Sequence, residues 1–115
     1  MEKSLVYIAE DDKVTRFLLN RVLADFQQLE VQIFENAKLL MDECENQKPN
    51  VILMDVNMPE MDAYQFLDHY SISSEQFFLM LGAPISEEKM NWFKSQGCSA
   101  FVEKPITRGK LEVLF

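Results

Sequence analysis

At 115 residues, with hydrophobic side chains making up 48% of the chain, the sequence fits one domain with a sizeable core and excludes a disordered chain. A formal charge of −8 opposes a phosphate backbone, so no direct nucleic-acid partner is expected. No apolar run reaches bilayer length and no signal-peptide pattern precedes the first strand-like run, so no membrane contact and a cytoplasmic location are expected.

Five short apolar runs alternate with segments of helical period. The first run is Leu5-Val6-Tyr7-Ile8-Ala9. Val14, Leu18, Val22 and Phe26 then fall on one face of a helix. Val31-Gln32-Ile33-Phe34 forms the second run, and Asn36 can cap the helix that carries Ala37, Leu40, Met41 and Cys44 at i, i+3, i+4, i+7. Val51-Ile52-Leu53-Met54 is the third run, followed by Ala63, Phe66, Leu67 and Tyr70 at the same spacing. Phe77-Phe78-Leu79-Met80-Leu81 is the fourth, and after it Ser86 caps a helix bearing Met90 and Phe93 that Gly97 can end. Trp92 lies off that stripe, at an exposed position. Ala100-Phe101-Val102 is the fifth run, and Thr107 caps a last helix with Leu111 and Leu114 or Phe115.

Four of the runs are continuous, as in strands buried on both faces of a parallel sheet. Strand and helix alternating five times predict an α/β fold. Its expected form is a flavodoxin-like three-layer α/β/α sandwich over residues 1–115, with a five-stranded parallel sheet in the order 2-1-3-4-5. The stretch from Thr107 to Phe115 is barely two turns, shorter than a full fifth helix. Leu111-Glu112-Val113-Leu114-Phe115 also resembles the start of a viral 3C-protease cleavage sequence of the kind appended for expression. A truncated native helix and an appended tail are both compatible with it.

On this scaffold the charged residues gather. Glu10, Asp11 and Asp12 follow the first strand, Asp55 ends the third, and Lys104 follows the fifth. In an open parallel sheet the ligand crevice lies outside the carboxyl ends of the strands, where strand order reverses. A single loop acid is ordinary solvated surface. Acids from two strand ends, with a lysine at their flank, form a site. Crowded carboxylates either raise a pKa or recruit a cation. Cys44 and Cys98 are not paired by spacing and His69 is the one histidine, so hard oxygen ligands point to Mg²⁺ and away from zinc. A carboxylate beside Mg²⁺ and an ammonium can attack phosphorus and form an acyl phosphate.

At these residues the sequence resembles the response-regulator receiver domains of bacterial two-component signalling. Leu5 to Asp12 looks like that family's first strand and acidic pair, with Arg16 on the first helix. Val51 to Asp62, containing Asp-x-x-Met-Pro-x-Met-Asp, looks like its phosphoacceptor strand and loop. Gly97 to Pro105 looks like its last strand with a Lys-Pro pair.

The resemblance implies that Asp55 is the phosphoacceptor and that Lys104 pairs with the phosphoryl group. It implies Mg²⁺ held by Asp11 directly, Glu10 mainly through water, Asp55, and the backbone carbonyl of Asn57. Asp12 then caps the first helix, and the Lys104-Pro105 bond is cis. Phe101 is the aromatic expected to swing inward on activation. A sensor histidine kinase or phosphotransfer protein is the implied donor. A homodimer or output partner is expected on the fourth-to-fifth-helix face. The chain would then be no enzyme beyond its own phosphorylation and dephosphorylation.

Three positions depart from the family pattern. Gly82 stands where a Ser or Thr hydroxyl usually bonds the phosphoryl group, leaving the backbone N–H of Ala83 as the donor there. Ala63 replaces a usual Gly, and the stretch between Asp55 and the fourth strand is short. Gly82 keeps open a second expectation, a degenerate pseudo-receiver acting as a phosphorylation-independent interaction module. Two enzyme classes fit less well. A haloacid-dehalogenase-type phosphohydrolase wants a second acid at position 57, where Asn57 stands. Flavin binding wants a phosphate loop where Glu10, Asp11 and Asp12 would repel phosphate.

Overall fold

The computed structural model describes residues 2–115. Its elements follow the expected alternation: β1 (Ser4–Ala9), α1 (Lys13–Leu23), β2 (Leu29–Phe34), α2 (Ala37–Asn46), β3 (Val51–Asp55), α3 (Ala63–His69), β4 (Gln76–Leu81), α4 (Glu87–Ser95), β5 (Cys98–Glu103) and α5 (Arg108–Leu114). The strands form one parallel sheet in the order β2-β1-β3-β4-β5. Every residue of β3 is buried, whereas the edge strands β2 and β5 are only partly covered. The three central runs are continuous because both of their faces are buried.

Alternate side chains along each strand enter separate cores. Tyr7, Ile52, Met54 and Leu79 meet Leu40, Phe66 and Phe93 on one side. Ile8, Leu53 and Met80 meet Leu19, Leu23 and Leu111 on the other. Asp12, Asn36, Asp62, Ser86 and Thr107 each accept a backbone N–H at a helix start. Gly97 has φ +108, and a Cβ there would come within 2.9 Å of Ile72, so the turn after α4 requires glycine. The seven-residue α5 buries Leu111 completely, and Phe115 packs edge-on against Phe26 and Phe78.

The expected face of α1 needs correction. Val14 and Leu18 are 64% and 52% exposed, and Phe17 beside them is 59% exposed. The buried face is Leu19 and Leu23, continued by Phe26, with Val22 only partly covered. A strict four-residue spacing drifts by about 40° per step around a helix of 3.6 residues per turn, so the stripe from Val14 to Val22 leaves the sheet.

At the end of the sheet away from the carboxyl termini lies a polar network that the sequence did not signal. Glu75 is buried and accepts hydrogen bonds from Tyr70 Oη at 2.5 Å and from Ser73 N at 2.6 Å, with Lys48 Nζ at 3.8 Å. Burial alone would raise its pKa, but the bonds from Tyr70 and Ser73 outweigh it and hold the carboxyl below its ordinary value. The network closes the short α3–β4 connection. No described helix is long and apolar enough to cross a membrane.

Candidate functional site

The site is assembled by backbone endings. Strand β1 stops at Ala9, so Glu10 turns inward, and its N–H still bonds Phe34 O of β2 at 3.0 Å. Asp55 is the last residue of β3, and the next N–H, of Val56, bonds Met80 O at 3.2 Å. Lys104 follows β5 with its N–H on Leu81 O at 2.8 Å, and its bond to Pro105 is cis, as expected. The ends of β1, β3 and β5, the last separated from β3 by β4, thus aim their side chains at one point.

Lys104 Nζ bridges the set, 2.7 Å from Asp55 Oδ2 and 2.6 Å from Glu10 Oε1. Carboxylate oxygens of Glu10, Asp11 and Asp55 all lie within 4.8 Å of one another. Glu10 is fully buried, Asp55 nearly so, and Asp11 is exposed. Glu10 Oε2 accepts the N–H of Asp12 at 3.1 Å. Its Oε1 forms an ion pair with Lys104 but no well-directed hydrogen bond. Burial pushes the Glu10 carboxyl up to about 7, against the pull of Lys104 and the Asp12 N–H. The contacts with Asp55 and Glu10 raise the Lys104 pKa despite the opposing effect of burial, so its ammonium stays charged.

The loops around the set are pinned. Arg16 Nη1 donates to Glu10 O at 3.0 Å and to Asp11 O at 2.8 Å, which fixes the acidic turn. Asp12 faces away, accepting from Thr15 N at 2.9 Å and Thr15 Oγ1 at 2.6 Å as the cap of α1. Asn57 N donates to Asp55 Oδ1 at 3.3 Å. Ala63 N bonds Val56 O at 3.1 Å and closes the loop from Asp55 to α3, in which Glu60 takes a positive φ of 70°. On the far flank Gly82 and Ala83 are exposed, and a Cβ built on Gly82 meets nothing within 4 Å. Phe101 is partly buried, 6.4 Å edge-on from Phe93.

Asp55, Lys104, Glu10 and Asp11 are therefore brought together, with the Asn57 backbone beside them. Phe101 lies outside this cluster, on β5. The donor set fits a hard divalent cation. It is all oxygen, three carboxylates face one ammonium, and a buried carboxylate oxygen lacks a hydrogen bond.

A doubly wound sheet with acids at the ends of β1 and β3 and a lysine after β5 defines a class of α/β domain whose functional crevice lies at the carboxyl ends of its strands. The response regulator receiver domain family matches residues 6–114, and the chain belongs to it. It is 31% identical over 111 residues to the DNA-binding transcriptional regulator NtrC of Proteus hauseri, covering 92% of this chain and 22% of that protein. It is 23% identical over 111 residues to response regulator Rre1 of a Synechocystis strain, covering 93% of this chain and 48% of that protein. The chain thus spans about half or less of these relatives' length.

Among solved structures, a CheY-like receiver domain from Methanospirillum hungatei superposes with a TM-score of 0.85 at 23% identity, covering 98% of this chain and 90% of that one. The receiver domain of the sensor histidine kinase PA1611 from Pseudomonas aeruginosa, solved with magnesium in its active-site cleft, gives 0.81 at 17% identity over 97% and 93%. The chain is a receiver domain of the response-regulator type.

Proposed function

We propose that this receiver domain accepts a phosphoryl group on Asp55, in a Mg²⁺-dependent transfer from a histidine kinase or phosphotransfer protein. The observation that carries the proposal is the Lys104 ammonium held within 2.7 Å of both Asp55 and Glu10 at the edge where Asp11 converges. A carboxylate oxygen of Asp55 attacks phosphorus as the donor's phosphorus–nitrogen bond breaks, leaving an acyl phosphate. Lys104 stays beside the reacting oxygen and offsets charge on the equatorial phosphoryl oxygens. Asp11, Glu10, Asp55 and the Asn57 carbonyl would hold Mg²⁺, which supplies charge neutralisation to the same oxygens. The chemistry is confined to this one aspartate, with its phosphorylation and hydrolysis as the full cycle.

The donor has to cover the rim of this site. Val14, Phe17 and Leu18 form an exposed apolar face of α1 on that rim, and a groove of about 290 Å³ lined by Leu18, Leu19, Pro105 and Ile106 continues it to Lys104. The α4–α5 face, on which Val113 of α5 is exposed, is the second partner surface. A phosphorylation-independent module finds no support, because the acids and the lysine needed for transfer are all in place.

The decisive experiment is intact-mass analysis after incubation with a small phosphodonor and Mg²⁺. The wild type should gain one acid-labile phosphoryl group and Asp55→Ala none. Equal gain in both proteins would assign the acceptor elsewhere.

A further inference from the structure

The hydroxyl missing at position 82 raises the question of which contact, if any, links Asp55 to the surface of α4. Gly82 has no side chain, and the space its Cβ would occupy is empty to 4 Å, so no neighbouring side chain has taken over the position. The flank of the site that leads through β4 to Phe101 is therefore mechanically open.

The opposite flank is continuous. The loop that leaves Asp55 is tied to the phosphoacceptor carboxylate by Asn57 N and to the start of α3 by the bond from Ala63 N to Val56 O. The first turn of α3 is stiffened by a reciprocal cap, in which Asp62 accepts Gln65 N at 2.9 Å and Gln65 Oε1 accepts Asp62 N at 3.0 Å. Tyr64 is the next residue after Ala63. Its ring lies 4.6 Å from Phe93 and 5.4 Å from Trp92, stacked on the indole at 30°. Phe93 is the buried anchor of α4 and reaches Phe101 at 6.4 Å. Most other residues of α4 are exposed, so few contacts resist its displacement.

We propose that Tyr64 is a positioning residue that carries the state of Asp55 from the first turn of α3 into α4, by a route that bypasses position 82. The inference rests on Asp55 being the phosphoacceptor. A phosphoryl group on Asp55 changes what the Asn57 N–H and the loop behind it must accommodate. The capped turn moves as a unit, and the stacked ring passes the movement to Trp92 and Phe93. The output then appears on the α3–α4 side of the molecule, with β5 left largely undisturbed.

The test is amide NMR of the Mg²⁺-loaded protein with and without beryllofluoride, a phosphoryl mimic. The wild type should show shifts at Asn57 and Lys104, which report the mimic, and along residues 87–95, which report α4. Tyr64→Leu should keep the first set and lose most of the second, while Tyr64→Phe, which retains the ring, keeps both. If Tyr64→Leu does not fold, Trp92→Leu removes the stacked partner from the α4 side and must blunt the same shifts. Undiminished α4 shifts in the folded leucine variant, or site shifts without α4 shifts in the wild type, overturn the relay alone. Absence of any shift at Asn57 and Lys104 in the wild type overturns the phosphoacceptor assignment, and the relay with it.

Discussion

Gly82 is the residue at which this site departs most consequentially from its family. A threonine there would meet open space, and the glycine carries no positive φ that a side chain would strain, so Gly82→Thr should change stability by less than about 0.5 kcal/mol. A restored hydroxyl bond to a charged phosphoryl oxygen contributes about 1.5–3 kcal/mol. Each 1.4 kcal/mol is a factor of ten, so coupling to Phe101 should strengthen by roughly one to two orders of magnitude. The expected result is enlarged beryllofluoride-induced shifts in Phe101 and its β5 neighbours in the variant. Equal β5 shifts in both proteins would mean that Phe101 does not follow position 82. The sequence disclosed Asp55, Lys104 and Gly82 because each stands at a fixed offset from the end of an apolar run. It could not disclose Glu75, whose partners Tyr70, Ser73 and Lys48 converge only once α3 and the end of α2 are folded together. Nor does spacing alone place Tyr64 against Trp92, since both lie outside the main apolar stripes of their helices.

At the scale of elements, the strands were readable almost to their ends, because three of them are buried on both faces and no alternation competes with the apolar signal. Helix α1 was not. Its apolar residues occupy two faces, and periodicity cannot say which of two apolar faces meets the sheet. Leu19 and Leu23 do, while Val14, Phe17 and Leu18 remain exposed, with Leu18 on the groove that reaches Lys104. The two faces are separable by neighbouring substitutions. Leu19→Ala should lower stability by about 2–5 kcal/mol, as expected for a fully buried leucine. Leu18→Ala should cost no more than about 1 kcal/mol in a urea titration, yet slow phosphoryl uptake from a histidine-phosphorylated donor protein while leaving uptake from a small phosphodonor unchanged. A Leu18→Ala variant equally fast with both donors would remove α1 from the donor-binding surface.

For the whole molecule, the functional site sets one core requirement against another. The sheet brings three carboxylates to the ends of β1 and β3, against a single ammonium, in a chain of net charge −8. Without a cation the native state alone bears that repulsion, because the unfolded chain separates the acids. Two consequences follow from linkage. Replacing Asp55 by Asn removes one of the opposed charges and should raise the melting temperature of the metal-free protein above that of the wild type. Mg²⁺ held by the assembled cluster, and not by the unfolded chain, should at about 100 times its Kd stabilise the wild type by about 2.7 kcal/mol. With an unfolding entropy of roughly 2.1 cal/mol/K per residue, that corresponds to a rise in Tm of about 10 °C. Asp55→Asn should lose most of this rise, whereas NaCl at matched ionic strength should move both proteins alike by screening. A Mg²⁺-induced rise of the same size in wild type and Asp55→Asn would place the cation away from the acids of β1 and β3. The order of the two metal-free melting temperatures would still report whether those acids repel one another across the crevice.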